Sequence, residues 1–174
     1  PICTVINAGT LNIGTGNRDS ASVNFAATTG TLTVRGSAGT DRANLNLGTG
    51  GSTSGSSANN FLDLRDHSAD LLLGTLTLGA QLRAGSATHA VYFSAGTLDV
   101  TGIDMARTKS SGSSTSTLAL SGGSVHVGAD GILLRRATQG VAHAGYFLDL
   151  PEQGDAAVEH GHGLIGMPEA HVRR

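Results

Sequence analysis

The densest set of chemically capable side chains in this sequence is Asp63-Leu64-Arg65-Asp66-His67-Ser68-Ala69-Asp70. Carboxylates gathered on a strand face can hold Ca²⁺ while a basic side chain abstracts a proton, the chemistry of polysaccharide elimination. An inverting glycosidase needs two carboxylates about 6.5–9.5 Å apart. Three aspartates within eight residues could meet either demand, with Asp63, Asp66 and Arg65 as the working groups. The competing reading is a turn over Asp66 to Asp70 whose side chains bond the local backbone.

A second group lies near the end of the chain. His160-Gly161-His162, with Glu159, Glu169 and His171, has the residue types of a metal site. On an extended strand, however, His-x-His supplies two ligands and no third stands at a diagnostic spacing, so a solvated tail is the favoured reading. His67, His89, His126 and His143 are spread among bends and outward strand positions. Arg83, Arg107 and Arg136 each follow a short strand and precede an Ala/Thr/Ser bend. Stacked, they would form a basic column suited to an anionic glycan; otherwise each caps carbonyls at a corner while its stem covers apolar surface. The outward pairs Thr31/Thr33 and Thr75/Thr77 faintly suggest an ice-binding array, which Asp99 and His126 spoil in the other copies. No dinucleotide fingerprint, P-loop, nucleophile elbow or Gly-rich Ca²⁺ nonapeptide occurs. No residue is therefore assigned a catalytic, cofactor-binding or metal-ligating role, and no cofactor is expected.

The elements that would position these groups are repeats. Gly-Thr-Leu recurs at Gly9, Gly30, Gly74 and Gly96, with Gly123-Ser124-Val125 as a degenerate fifth copy. The separations, 21, 44, 22 and 27 residues, predict a period of about 22. The clearest pair is Gly96–Thr108 and Gly123–Thr138, each a short alternating strand, a glycine turn, a second apolar strand and a basic residue. Within a period, Thr31-Leu32-Thr33-Val34 and Thr75-Leu76-Thr77-Leu78 alternate with the strand repeat of two. Later strands follow at 22–25, 44–47, 90–93 and 117–120, with a third at 81–83, 103–105 and 132–134. One such coil buries too little apolar surface to offset the entropy of ordering it. Stacked coils hydrogen-bond to their neighbours and line their aliphatic residues into a continuous interior. The expected fold is all-β, a right-handed parallel β-helix or β-solenoid of about 22 residues per coil, the hand following the general crossover preference. Its domain spans 1–150, with a Gly/Ser-rich loop insertion at 48–60. Residues 151–174 lose the alternation and read as a C-terminal cap or disordered tail.

Composition narrows the class further. The chain has 26 glycines, 3% aromatic residues and no Trp, so its core must be aliphatic. Charged residues make up 14% and the net charge is −2, which argues against nucleic acid as a partner and against a membrane-surface patch. No apolar run is long enough for a transmembrane helix. The lone Cys3 excludes an internal disulfide framework. A start at Pro1 without a charged-then-apolar leader reads as a piece of a longer polypeptide.

With the five Gly-Thr/Ser-Leu/Val copies and the Leu118–Gly123 junction laid out, residues 8–150 resemble the autotransporter-associated β-strand repeats of bacterial secreted and surface proteins. The resemblance implies a passenger-type right-handed β-helix, located extracellularly or at the outer-membrane surface, acting as an adhesin or stalk. Its expected function is a structural or adhesive segment displaying loops on a rigid rod. Its expected partners are a host or environmental glycan or a protein surface. The alternative is a carbohydrate-active β-helix, a polysaccharide lyase or glycoside hydrolase, using the Asp63–Asp70 cluster.

Overall fold

The computed structural model describes residues 2–15, 20–26, 29–49, 58–79, 87–105, 114–134 and 142–148, with backbone alone at 2, 58, 114, 134 and 142–148. All its regular elements are strands: β1 (Ile2–Asn7), β2 (Thr10–Ile13), β3 (Ala21–Asn24), β4 (Gly30–Arg35), β5 (Ala43–Leu47), β6 (Ala58–Leu78), β7 (Ala87–Met105), β8 (Ser114–Leu120), β9 (Ser124–Leu134) and β10 (Ala142–Leu148). Every pairing is parallel. Parallel neighbours far apart in sequence, joined with no crossover helix among the described residues, make stacked coils. The expected β-solenoid is the observed fold.

The pairings resolve into three faces. Face A carries β3, residues 58–64 of β6, 87–93 of β7, β8 and β10. Face B carries β1, β4, 68–73, 95–100 and the first part of β9. Face C carries β2, β5, 75–78, 102–105 and the end of β9. The chain visits A, B and C in turn, for about four coils with a partial layer at each end. β6 and β7 run through all three faces as continuous strands of 21 and 19 residues.

Alternation decides which side chains go inward. On face C, Leu11, Leu45, Leu76, Ile103 and Ile132 form one column. Its three middle members are 1–2% exposed, whereas Ile132 at the last layer is 47% exposed. On face B the column is Ile6, Val34, Leu71, Leu98 and Val125. Each residue packs on its counterparts in the layers above and below, so burial is complete only where both neighbours exist.

Coil length departs from the 22-residue expectation. Leu71 pairs with Leu98, 27 residues on, whereas Val34 pairs with Leu71, 37 residues on. The reason is that Gly-Thr-Leu marks two faces. The copies at Gly9 and Gly74 enter face C, and those at Gly30, Gly96 and Gly123 lie on face B. Even there the Gly30 copy is out of register by two, since Thr33 pairs with Asp70, which pairs with Thr97. The duplicated phrase at Gly96 and Gly123 does mark adjacent coils: Leu98 stacks on Val125 and Ile103 on Ile132.

The corner from face C to face A is built from glycines. Gly14, Gly48 and Gly79 follow the face C strands, all at φ between 61° and 71°. The Gly48 N–H donates to the Ile13 carbonyl at 2.9 Å, and the Gly79 N–H to Leu47 at 2.8 Å. A Cβ on Gly48 would stand 2.0 Å from the His89 ring, and one on Gly14 1.7 Å from Asn60 Oδ1. Inside this corner runs a buried polar column of Asn60, His89 and Ser116. Asn60 Oδ1 accepts the Ala21 N–H at 2.9 Å, which fixes its amide to donate to His89 Nδ1 at 3.2 Å. Ser116 donates to the Leu78 carbonyl at 2.9 Å. These bonds satisfy polar groups that the coil geometry removes from water. Of the polar run 48–60, Gly48 is thus a buried corner and 58–60 open β6; residues 50–57, and the tail 151–174, lie outside the described residues.

Candidate functional site

Asp63 to Asp70 sits at the corner from face A to face B, and the corner is distorted. Leu64 pairs with Phe93 and Ser68 with Ala95, so three residues of β6, Arg65 to His67, stand opposite the single Ser94 of β7. Excess residues in one strand of a ladder must bulge outward. Asp66 turns the bulge with φ of 62°, the sole left-handed non-glycine residue among those described, a region Asp tolerates better than most. Its N–H donates to Ser94 Oγ at 3.1 Å, and Ser94 Oγ lies 3.3 Å from the Leu64 carbonyl.

The side chains at the bulge bond one another. Arg65 grips Asp63 through Nε–H to Oδ1 at 2.8 Å and a second contact to Oδ2, while the Arg65 N–H donates to Oδ1 at 3.1 Å. That hydrogen bond to Arg65, opposed by partial burial, holds the Asp63 carboxyl below the usual carboxylate range. The Arg65 guanidinium also lies 4.5 Å from the centroid of the Tyr92 ring. His67 stacks flat on Phe25, 4.1 Å between centroids, and its Nδ1–H donates to the Arg65 carbonyl at 2.6 Å. A cleft of about 360 Å³ opens among Asn24, Phe25, Asp63, Asp66, His67 and Ser121. A second, about 370 Å³, continues past Arg65 along Tyr92, Thr117, Ala119 and Leu120.

The turn reading holds for Arg65 to His67, while Ser68 to Asp70 belong to the face B strand. Asp70 is tied to Arg35, whose Nη1 also donates to the Asp70 and Val34 carbonyls at 2.9 Å each. The cluster's carboxylates are therefore divided: Asp63 on face A serves Arg65, Asp70 on face B serves Arg35, and Asp66 lies on the bulge between them. Among the described residues no three of His, Cys, Asp or Glu gather so as to hold a metal ion.

The other candidates fall as follows. Arg83, Arg107 and Arg136, and Glu159, His160, His162, Glu169 and His171, lie outside the described residues. Thr31/Thr33 is on face B and Thr75/Thr77 on face C, so the two Thr-x-Thr pairs share no plane. His126 Nδ1 is 3.3 Å from Asp99 Oδ1, on the neighbouring coil. Asp99 is also bound by Arg42 at 3.0 Å, and that bond foremost lowers its pKa, with His126 adding to it. Arg42 reaches the Leu73 carbonyl as well, at 2.9 Å, and so straps three coils.

Sequence reasoning missed Arg35, Arg42, Phe25 and Tyr92. The capping role expected of corner arginines is played by Arg35 and Arg42, whose partners lie 35 and 57 residues away. Those separations mean nothing until the coil length is known. Tyr92 carried a weak signal: in a chain with two tyrosines it alternates outward between Val91 and Phe93. No family model, curated protein or solved structure matches the chain. No helix among the described residues is long and apolar enough to cross a membrane.

Proposed function

We propose that this chain is a structural or adhesive segment of a secreted or cell-surface bacterial protein, a passenger of the autotransporter-associated repeat kind whose solenoid displays surface features on a rigid rod. The observation that supports this reading is the fate of its ionic groups. Asp63, Asp70 and Asp99 each bond an arginine, and two of those bonds join different coils. The positions are also interchangeable between coils: the column holding Asp70 carries Val5, Thr33, Thr97 and Ser124 elsewhere. Carboxylates used as ties, in columns that accept Val or Thr, suit scaffolding rather than a catalytic pair.

Small-angle scattering should give an elongated particle, and incubation with polygalacturonate should release neither reducing ends nor unsaturated products. Turnover abolished by Asp66→Ala would overturn the rod in favour of the carbohydrate-active alternative.

A further inference from the structure

Where this rod touches its partner follows from the outward column of face A. That column reads Asn24, Asp63, Tyr92, Ala119 and, by backbone register, Phe147 across five layers. The neighbouring outward column reads Ser22, Phe61, Ala90 and Thr117. The chain is poor in aromatics, yet Phe61 and Tyr92 occupy adjacent layers of one outward face, with Phe25 at its corner and Phe147 at the register beyond Ala119. On faces B and C the described outward positions hold no Phe or Tyr; they are filled by Cys3, Arg35, glycine, Thr, Asn, Asp, Ser, His and aliphatic residues.

Tyr92 is held as a platform. Arg65 packs against its ring at 4.5 Å and is itself held by Asp63. Toward the next layer its column neighbour is Ala119, so the ring is followed by a step down in side-chain size and the cleft opens there. The two clefts adjoin at Arg65 and Ser121, and the groove is their succession across the strands along the solenoid axis. Each is in the size range of small-molecule sites, which combine apolar and aromatic walls with a few fixed polar groups.

The polar groups select the ligand. Asp63 and Asp66 line the first cleft with Arg65 and His67, and Arg65 is the charged group of the second. Over both clefts, counted with His neutral, two carboxylates thus face one guanidinium and the balance disfavours a polyanion. Carboxylate, guanidinium, amide and hydroxyl groups arranged around an aromatic face match a molecule that is apolar on one side and studded with hydroxyl donors and acceptors at its edge. That is the chemistry of a pyranose ring.

We infer that the groove along Asp63, Arg65, Tyr92 and Ala119 binds an uncharged oligosaccharide, one sugar ring lying on Tyr92 over Ala119 and its hydroxyls reaching Asp63, Asp66 and Arg65. This rests on the adhesive form of the rod reading and opposes the anionic glycan that a basic column would select.

The test is calorimetric titration of the whole chain with cellohexaose, chitohexaose and mannohexaose, and with polygalacturonate as the anionic probe. At least one neutral hexaose should bind. Tyr92→Ala should weaken it about tenfold or more while Tyr92→Phe retains it. Ala119→Leu, which fills the step and removes nothing from the core, should weaken it similarly; far-ultraviolet circular dichroism checks that each variant keeps its strands. Binding of polygalacturonate alone, of none of the four, or of a hexaose indifferent to both Tyr92→Ala and Ala119→Leu overturns the inference. Failure of all four with an elongated scattering profile removes the sugar site and leaves the rod. Cleavage of a bound hexaose that stops in Asp66→Ala removes the rod and leaves the site.

Discussion

Two corners of the same coil solve the same problem in opposite ways. At the corner from face C to face A, glycines repeat from layer to layer, the N–H groups of Gly48 and Gly79 donate to the strand-end carbonyls of the layer before, and a buried polar column fills the inside. At the corner from face A to face B, the number of residues changes between layers, so β6 bulges and side chains bond one another outside. The first corner is constrained by its neighbours on both sides and by what lies within it. The second has solvent on one side and can absorb extra residues without disturbing the ladder. A solenoid can thus acquire individuality where its corner is open, and that is where Phe25, His67, Tyr92 and the Asp63–Arg65 pair have collected.

The largest expected effect strikes the closed corner. Gly48→Ala forces a side chain into left-handed backbone and against the His89 ring, for a loss of about 2–5 kcal/mol from conformational strain plus overpacking. Denaturant melts should show the loss. A melt superimposable on that of the parent would mean that the corner yields and the comparison fails. Next, Asn60→Ala strands the Ala21 N–H and removes the donor to His89, which should cost about 1–3 kcal/mol. At the open corner the sign reverses. Asp66→Gly relieves left-handed strain where no interior group is in the way, so it should be neutral or stabilising by up to about 1 kcal/mol, the flexibility of glycine offsetting part of the gain. A marked destabilisation there would place the bulge among the constrained parts of the fold.

The core was the more legible part of the sequence, because alternation and Gly-Thr-Leu phrases report directly on strands that stack like on like. The closed corner was not, since Gly48 reads as the start of a loop insertion and His89 as a bend or outward position, and the structure buries both. Leu76 and Ile103 announce their side of the strand through their own neighbours. The coil length was not legible, because a short phrase that serves two faces cannot say which face it serves; only the pairing of Leu45 with Leu76 assigns it. The open corner was half legible. Asp63, Arg65 and Asp66 stood out by type, whereas Tyr92 and Ala119 joined them only through registers of 27 to 29 residues. Arg35 and Arg42 were invisible for the same reason, their partners being one and two coils away.

The smallest effect separates a tie between coils from a pair within one bulge. Both Asp63 and Asp99 have pKa values lowered by an arginine hydrogen bond. A carboxylate with a lowered folded pKa contributes stability that is fully present above its unfolded value of about 3.8 and is lost as pH falls through the lower folded value. Both pairs are substantially solvated, which screens the contribution. Their geometry differs, however. Arg65 and Asp63 are two residues apart and can meet in the unfolded chain, whereas Arg42 and Asp99 meet only when three coils are stacked. Thermal midpoints taken between about pH 2 and pH 6 should therefore show Asp99→Asn below the parent at the upper end, converging with it as pH drops under about 4. Asp63→Asn should follow the parent more closely throughout. A larger pH-dependent gap for Asp63→Asn than for Asp99→Asn would assign the stabilising role to the bulge, and the distinction between a constrained corner and a free one would not survive it.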